Sequence, residues 1–323
     1  MNEFSEMAVT GIGVVAPTGT TKHAFFEAVS NGAHSQDGAC NAEAPPPGQL
    51  LNHLKISDRK LKIARYMDPV SKNAIVAVGE AMSDAGIEES AVAQAPHKYG
   101  IVLGATRGAH LTRKGLYESL ASRHGKMVSG TLFSHCGYNI AGAMTAIAHG
   151  IKGPNLTVAG RGDLGLCILR RARQILMTER AHTVFAGFTE GDGAAKPGSI
   201  PFRECAYALC LERKDRAVSR QAAILTEISL QDEEKGVAAA GRDAVRGWHR
   251  RESALAENAE ALSSDLPGMP SVGGRYDSLI KIGLLSHNAE LKERFPAVAF
   301  SAGEDRSRAR IKLLYAREES FAT

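Results

Sequence analysis

The segment that most constrains how this chain folds runs from residue 153 to residue 176. It begins with Gly153-Pro154, continues as a short apolar stretch, and then passes through a glycine-rich turn. After the turn, apolar side chains recur at the spacing of one helix face, namely at Leu164, Ile168, Ala172, Ile175 and Leu176. This spacing is typical of an amphipathic helix with one buried face. The sequence therefore predicts a strand, a sharp turn and a packed helix in direct succession.

The other segments of the first 213 residues are predicted strands and helices in a regular order. They are a strand and loop over 7–19, a helix that is introduced by 64–74 and stops at Gly86, a strand over 99–106, helices over 110–122 and 140–151, and a strand over 183–188. The Gly11 and Gly13 pair does not indicate a phosphate-binding loop. Pro17 and Gly19 follow, whereas such a loop needs a third glycine at the start of a helix.

The order and spacing of these segments resemble the β-ketoacyl-acyl carrier protein synthases. In that family Gly-Pro, an apolar strand and a Thr-Ala-Cys-Ala-Ser/Thr-Gly turn lead into a buried helix, as the segment after Gly153 does here. The resemblance implies an α/β, thiolase-like fold with α-β-α-β-α layers. It further implies a complete N-terminal half over residues 1–220 and a divergent, shortened C-terminal half over residues 221–323.

The same resemblance places a glycine where the family carries its catalytic cysteine. Counting forward from Gly153-Pro154 and backward from Gly165 puts Gly162 at that position. The family also uses two histidines, in His-Gly-Thr-Gly-Thr and Lys-x-x-x-Gly-His motifs, and neither motif occurs in this chain. Acyl transfer through a covalent thioester needs a side-chain nucleophile, which glycine lacks. We therefore expect no catalytic residue of the family type.

Two groups of residues are predicted to meet a partner subunit. By position in the matching segment, a possible floor of the partner's acyl channel is formed by Leu132, Phe133, Tyr138 and Met144. The strand that would pair across a two-fold axis contains Asn155, Leu156, Thr157 and Val158.

The resulting hypothesis is a non-catalytic, chain-length-factor-like subunit of a heterodimer with an active ketosynthase. The pathway would be of the type II polyketide, polyene or fatty-acid-like kind, with an acyl carrier protein reached through the complex. Two alternatives stay open: an acyltransferase, thioesterase or decarboxylase on the same fold, and a carrier-protein binding module. A catalytic pair at His135-Cys136 is less favoured than a packed loop, because adjacent residues rarely point the same way. Asp163 is more simply a helix cap than a catalytic carboxylate.

Composition excludes several other classes of protein. The net charge of +4 is mild and predicts no nucleic-acid partner. Arg170, Arg171 and Arg173 are read first as a solvated face, and second as an attraction for an acidic carrier protein. The five cysteines have neither disulfide nor metal-site spacing, so we expect reduced thiols, no metal and no cofactor. Without a signal peptide or a long apolar run, we expect a cytoplasmic protein that does not enter a membrane.

Overall fold

The computed structural model describes residues 7–16, 21–30, 67–122, 129–159, 164–191, 205–232, 277–287, 297–302 and 309–314. Its strands are β1 (Met7–Val15), β2 (Tyr99–Gly104), β3 (Asn155–Val158), β4 (Thr183–Glu190), β5 (Cys205–Arg213), β6 (Thr226–Asp232), β7 (Ala297–Ala302) and β8 (Ala309–Leu314). Its helices are α1 (Lys22–Ser30), α2 (Pro69–Asp84), α3 (Glu89–Gln94), α4 (His110–Ser122), α5 (Gly130–Ser134), α6 (Ile140–His149), α7 (Leu164–Met177), α8 (Lys214–Ser219) and α9 (Asp277–His287), with a short 3₁₀ turn at Pro96–Lys98.

These strands form one mixed sheet in the order β3-β2-β4-β5-β1-β6-β8-β7. β2 pairs in parallel with β3 and with β4. β5 is antiparallel to both β4 and β1, so β1 runs in the same direction as the three parallel strands. β6, β8 and β7 continue the sheet with antiparallel pairs. Parallel neighbours need crossover connections, and helices supply them here.

Helices cover the sheet on both faces, and β5 shows how the sequence achieves this. Its residues alternate between small and large side chains, and side chains along a strand point to opposite faces. The small ones, such as Ala206 and Ala208, face the layer of α2 and α6. The large ones, such as Tyr207 and Leu209, face the layer of α7, α1 and α9. Burial on both faces explains why the strand is almost continuously apolar.

Gly11 and Gly13 allow α2 to pack closely on β1. A Cβ atom at Gly11 would overlap the carbonyl oxygen of Ala81, and one at Gly13 would overlap that of Ala77. The two glycines therefore serve helix-on-strand packing, where any side chain would separate the two elements.

The predicted α/β, thiolase-like class is confirmed, and the described residues supply three of its layers, with the sheet between two sets of helices. The division at residue 220 stays a prediction. β6, from the second part of the chain, pairs with β1 from the first part, so the sheet is continuous across that point. None of the helices in the described ranges has both the length and the apolar character that a bilayer crossing needs.

Candidate functional site

The candidate site lies where the parallel strands β2, β3 and β4 end. Five residues after β3, helix α7 begins at Leu164, with its N-terminus at the same edge of the sheet. The carboxyl ends of parallel strands and the positive end of a helix dipole together favour ligands and developing negative charge. The predicted strand and the predicted helix are therefore both present. The turn itself, with Arg161, Gly162 and Asp163, lies outside the described residues.

The buried carboxylate of Asp68 fixes one side of this edge. Asp68 is 3% exposed and precedes α2 as its N-cap. Its Oδ1 accepts a hydrogen bond from the backbone N–H of Val70 at 3.3 Å. Its Oδ2 accepts from the backbone N–H and the hydroxyl of Thr112, at 2.9 and 3.0 Å. One side chain thus joins the start of α2 to the first turn of α4.

A second buried carboxylate, Glu190, ends strand β4. It is 3% exposed, and its Oε1 accepts the backbone N–H of Thr106 at 2.6 Å, which holds the loop after β2. Beside it, the Thr189 hydroxyl donates to the Val70 carbonyl at 2.7 Å. Neither carboxylate belongs to the site residues that the sequence predicts. For Asp68 the available signal was an acidic residue directly before a proline at a helix start, which is typical of an N-cap.

The predicted interface residues lie on one side of the molecule, at the end of the sheet formed by β3. Among the described strands, β3 pairs with β2 alone, so its other edge is open. Phe133 is 67% exposed and Leu156 is 38% exposed, whereas Leu132, Met144, Thr157 and Val158 are half-buried and Asn155 is exposed.

Other exposed apolar side chains belong to the same elements. Of the seven large hydrophobic residues that are exposed in the described ranges, six lie on α4, α5, α6, β3 or the connections between them. We call these six the edge face: Leu111, Tyr117, Phe133, Tyr138, Ile147 and Leu156. Exposed apolar side chains concentrated on neighbouring elements are typical of surfaces that contact another molecule.

Tyr138 is held in place, which distinguishes it from Phe133. The guanidinium carbon of Arg113 lies 4.9 Å from the centre of the Tyr138 ring. The same guanidinium donates to the carbonyl oxygens of Cys136 at 3.2 Å and Arg107 at 2.5 Å. Gly108 packs directly on the ring and has a positive φ of 56°, a conformation that glycine adopts without strain.

His135 and Cys136 do not contact each other as a catalytic pair would. His135 Nδ1 lies 2.8 Å from the Thr131 carbonyl oxygen and 3.0 Å from the Ser134 hydroxyl. The Cys136 thiol donates to the Phe133 carbonyl at 3.0 Å. Both side chains are thus bound to the backbone of α5 or its end, as a packed loop requires.

The arginines of α7 fall on the face that points away from the sheet. Arg171 is exposed and bonds to the Gln174 side chain at 2.9 Å, whereas Arg170 and Arg173 are half-buried. The opposite face, with Leu164, Ile168 and Leu176, is buried as the periodicity predicts.

Residues 52–199 match the family model of the β-ketoacyl synthase N-terminal domain. The match covers 148 of the 323 residues, and over that region the chain is similar to the β-ketoacyl synthases. It is 24% identical over 193 residues to 3-oxoacyl-[acyl-carrier-protein] synthase 2 of Coxiella burnetii, covering 58% of this chain and 46% of that protein. It is 25% identical over 196 residues to the protein of the same name from Staphylococcus aureus strain COL, covering 59% and 47%. The chain therefore spans about half the length of the curated relatives it matches.

Two solved structures show that the fold extends over nearly the whole chain. One is of a type II polyketide synthase acyl-carrier protein in complex with its ketosynthase, bound to the hexaketide. It has a TM-score of 0.67 at 15% identity and covers 97% of this chain and 100% of the matched one. The other is the ishigamide ketosynthase/chain length factor, with a TM-score of 0.62 at 18% identity, covering 96% and 99%. At these identities the likeness establishes the fold and leaves the function to be argued from residues.

Proposed function

We propose that this chain is a non-catalytic, chain-length-factor-like subunit that pairs with an active ketosynthase and shapes its acyl channel. The pathway would be type II polyketide, polyene or fatty-acid-like biosynthesis, with an acyl carrier protein delivering substrate to the complex. The observation that carries the proposal is Gly162 at the sequence position of the family's nucleophile, between β3 and α7 along the chain.

The chemical reason is that acyl transfer and condensation need functional groups that this chain lacks by sequence. A covalent acyl-enzyme needs a thiolate or another side-chain nucleophile at the helix N-terminus. Stabilising the enolate and the thioester oxygen needs polar donors aimed at them, which the two family histidines supply. With glycine at position 162 and neither histidine motif present, the α7 N-terminus has no acyl acceptor of the family type.

The edge face is the evidence for a partner subunit in this proposal. The open edge of β3 offers backbone hydrogen-bonding groups to another strand, and an unpaired apolar edge is a liability in an isolated protein. A second subunit that pairs with β3 and covers Leu156 and Ile147 would bury this surface. One solved structural neighbour is itself a ketosynthase/chain length factor.

Within the proposed complex, Tyr138 and Phe133 would have different roles. Tyr138 is held by Arg113 and Gly108, so it presents a rigid surface. Phe133 is mostly exposed on a helix of five residues, and its ring is available to enter a neighbouring cavity. A bulky ring at the end of an acyl channel limits chain length by steric exclusion.

The test is to co-express this chain with a ketosynthase encoded beside it and to purify the complex through a tag on one chain. We expect a one-to-one complex that condenses malonyl units only when both chains are present, with acyl label on the partner and none on this chain by mass spectrometry. Phe133→Ala should lengthen the product, and Val218→Ala, at an exposed apolar residue outside the edge face, serves as the matched control that leaves product length unchanged.

Two results would contradict the proposal. Acyl label on this chain would favour the alternative of an acyl-thioester enzyme. Retention of acyl carrier protein by this chain alone, with no ketosynthase bound, would favour the carrier-protein binding module.

A further inference from the structure

A row of basic side chains lies at the edge of the sheet opposite the candidate site. The loops that precede β2, β3 and β4 meet there, together with the end of β5. We call this row the basic edge, and it consists of His97, Lys98, Lys152, Arg180, His182, Arg213 and Arg216. All seven residues are exposed or half-buried.

Backbone contacts hold these loops in a fixed arrangement. The backbone N–H of His182 donates to the Lys98 carbonyl at 2.7 Å, and that of Lys152 donates to the Pro96 carbonyl at 2.9 Å. His97 Nδ1 lies 3.1 Å from the Lys152 carbonyl oxygen. Because β3, β2, β4 and β5 are consecutive in the sheet, the cations are spread over about 15 Å at the spacing of neighbouring strands.

Positive charge exceeds negative charge along the basic edge. Arg213 pairs with Glu179 at 3.0 Å and with Asp215 at 2.9 Å, and Arg216 lies 3.8 Å from the same Glu179. Within the described ranges the other three cations, Lys98, Lys152 and Arg180, form no ion pair. Among the described residues, the ion pairs of these five cations thus involve two carboxylates, Glu179 and Asp215.

Nearby charges do not add to this excess. Lys214 and Arg220 also lie at this end, but each is neutralised by a buried carboxylate, at 2.7 Å from Glu227 and 2.5 Å from Glu212. The surplus charge therefore belongs to the exposed row.

His182 reports the local potential. Burial lowers its pKa, and the positive charges of Arg216 and Lys98 lower it further, against the opposing effect of Glu179. Arg216 Nη1 lies 3.5 Å from His182 Nδ1. The part of this lowering that comes from Arg216 and Lys98 reflects a positive potential, and the same potential stabilises an added anion.

We propose that the basic edge binds an acidic segment of a partner protein. Carboxylates three or four residues apart on a helix are about 5–6 Å apart, which is close to the spacing of the strands that carry these cations. A single-stranded nucleic acid fits less well. Its bases need exposed rings to stack on, and Tyr99, the aromatic residue that directly follows Lys98 at this edge, is half-buried. Attraction of this kind mainly accelerates association and fixes orientation.

A purely structural role for the same residues makes a different prediction. Lys152 follows the end of α6 and Arg180 follows the end of α7, where a cation stabilises the negative end of a helix dipole. In that case the substitutions would change stability and leave binding of an acidic peptide unaffected. Binding and unfolding must therefore be measured on the same variants.

The experiment measures binding of a labelled oligoglutamate peptide to the purified chain, or to its co-expressed complex, by fluorescence anisotropy at low and at physiological salt. The test variant is Lys98→Glu/Lys152→Glu, since neither side chain forms an ion pair with any residue in the part of the chain that the structure describes. The matched control is Lys72→Glu/Lys114→Glu, which changes the net charge by the same amount on α2 and α4. We expect about a tenfold loss of affinity in the test variant and little change in the control, with binding weakened by salt.

Three outcomes would overturn the proposal. Equal losses in both variants would show a response to net charge alone. No binding of the peptide to the unsubstituted protein at low salt would show that no such site exists. Tighter binding of a single-stranded oligonucleotide, with the same dependence on Lys98 and Lys152, would assign the surface to nucleic acid.

Discussion

At the scale of single residues, some glycines of this chain are required for close packing and others are not, and the sequence alone does not distinguish the two kinds. Gly13 lies on β1 directly beneath the Ala77 carbonyl of α2, whereas Gly115 lies in α4 with open space around the position of a Cβ atom. A methyl group at the first position must push a helix away from the sheet. At the second position it meets no neighbour.

We expect Gly13→Ala to destabilise the protein by about 1–3 kcal/mol, because overpacking against a helix backbone cannot relax by rotating a side chain. Gly115→Ala should stabilise it by about 0.5–1 kcal/mol, because alanine is the better helix former. Urea denaturation of the two variants measures both values. Equal and small effects would show that α2 does not approach β1 as closely as described.

Glu80 is a second case at this scale, because its buried position beside β1 raises the pKa of its carboxyl group. β6 pairs only with Met7–Val9 of β1, so the N–H groups beyond Val9 on that edge need other partners. Ile12 N–H donates to Asp84 Oδ2 at 2.9 Å, and Val14 N–H donates to Glu80 Oε2 at 3.1 Å. Burial raises the pKa of Glu80 from 4.5 to about 7, while the hydrogen bond from Val14 lowers it and the Asp84 carboxylate adds to the rise.

The raised pKa makes stability depend on pH in a defined direction. The folded state binds the Glu80 proton more tightly than the unfolded state, so the stabilisation is complete below about pH 4.5 and is lost as the pH rises through about 7. Glu80→Gln keeps an acceptor for Val14 and removes the titration. We expect this variant to be more stable than the unsubstituted protein at pH 8, by up to roughly 2 kcal/mol, and equal to it near pH 4.5. Unfolding curves at both pH values test this. The control is the exposed Glu118→Gln, whose stability relative to the unsubstituted protein should be the same at both pH values.

At the scale of elements, Asp68 joins two helices that the sequence presents as separate. It caps α2 through Val70 and holds the first turn of α4 through Thr112, all from a side chain that is almost fully buried. Its loss would leave the N–H groups of Val70 and Thr112 without these partners, inside the protein.

We expect Asp68→Ala to cost about 2–4 kcal/mol, the sum of a lost helix cap and of buried donors without acceptors. The matched control is Glu88→Ala, because Glu88 occupies the N-cap of α3 but forms no capping hydrogen bond with its side chain. That control should change stability by less than about 0.5 kcal/mol. Faster hydrogen exchange at the Thr112 amide in Asp68→Ala would locate the effect at α4. If hydrogen exchange becomes faster in α2 alone, the link between the two helices contributes little to stability.

At the scale of the whole molecule, the elements of the first 213 residues were predictable because their periodicity is local. The strand before Gly162 and the helix after it follow from their apolar spacing, and the long helix Pro69–Asp84 follows from its buried stripe and from the glycine stop at Gly86. The contacts that order the candidate site were not predictable. Asp68 with Thr112, Glu190 with Thr106, and Arg113 with Tyr138 are each brought together by tertiary packing, which no local pattern encodes.

The open edge of β3 allows the proposed heterodimer to be tested with a single backbone group. Ile101 N–H donates to the Pro154 carbonyl and Ala105 N–H to the Val158 carbonyl. Because the residues of a strand alternate in the direction of their hydrogen-bonding groups, those of Thr157 point away from β2, toward a partner strand. Thr157→Pro removes that outward donor and leaves the pairing with β2 intact, since proline is tolerated on edge strands.

We expect Thr157→Pro to reduce recovery of the one-to-one complex at least about tenfold, whereas Thr157→Ala, which keeps the N–H group, should assemble normally. Retention of the complex by Thr157→Pro would show that the ketosynthase contacts another face, and the proposed strand pairing would have to be abandoned.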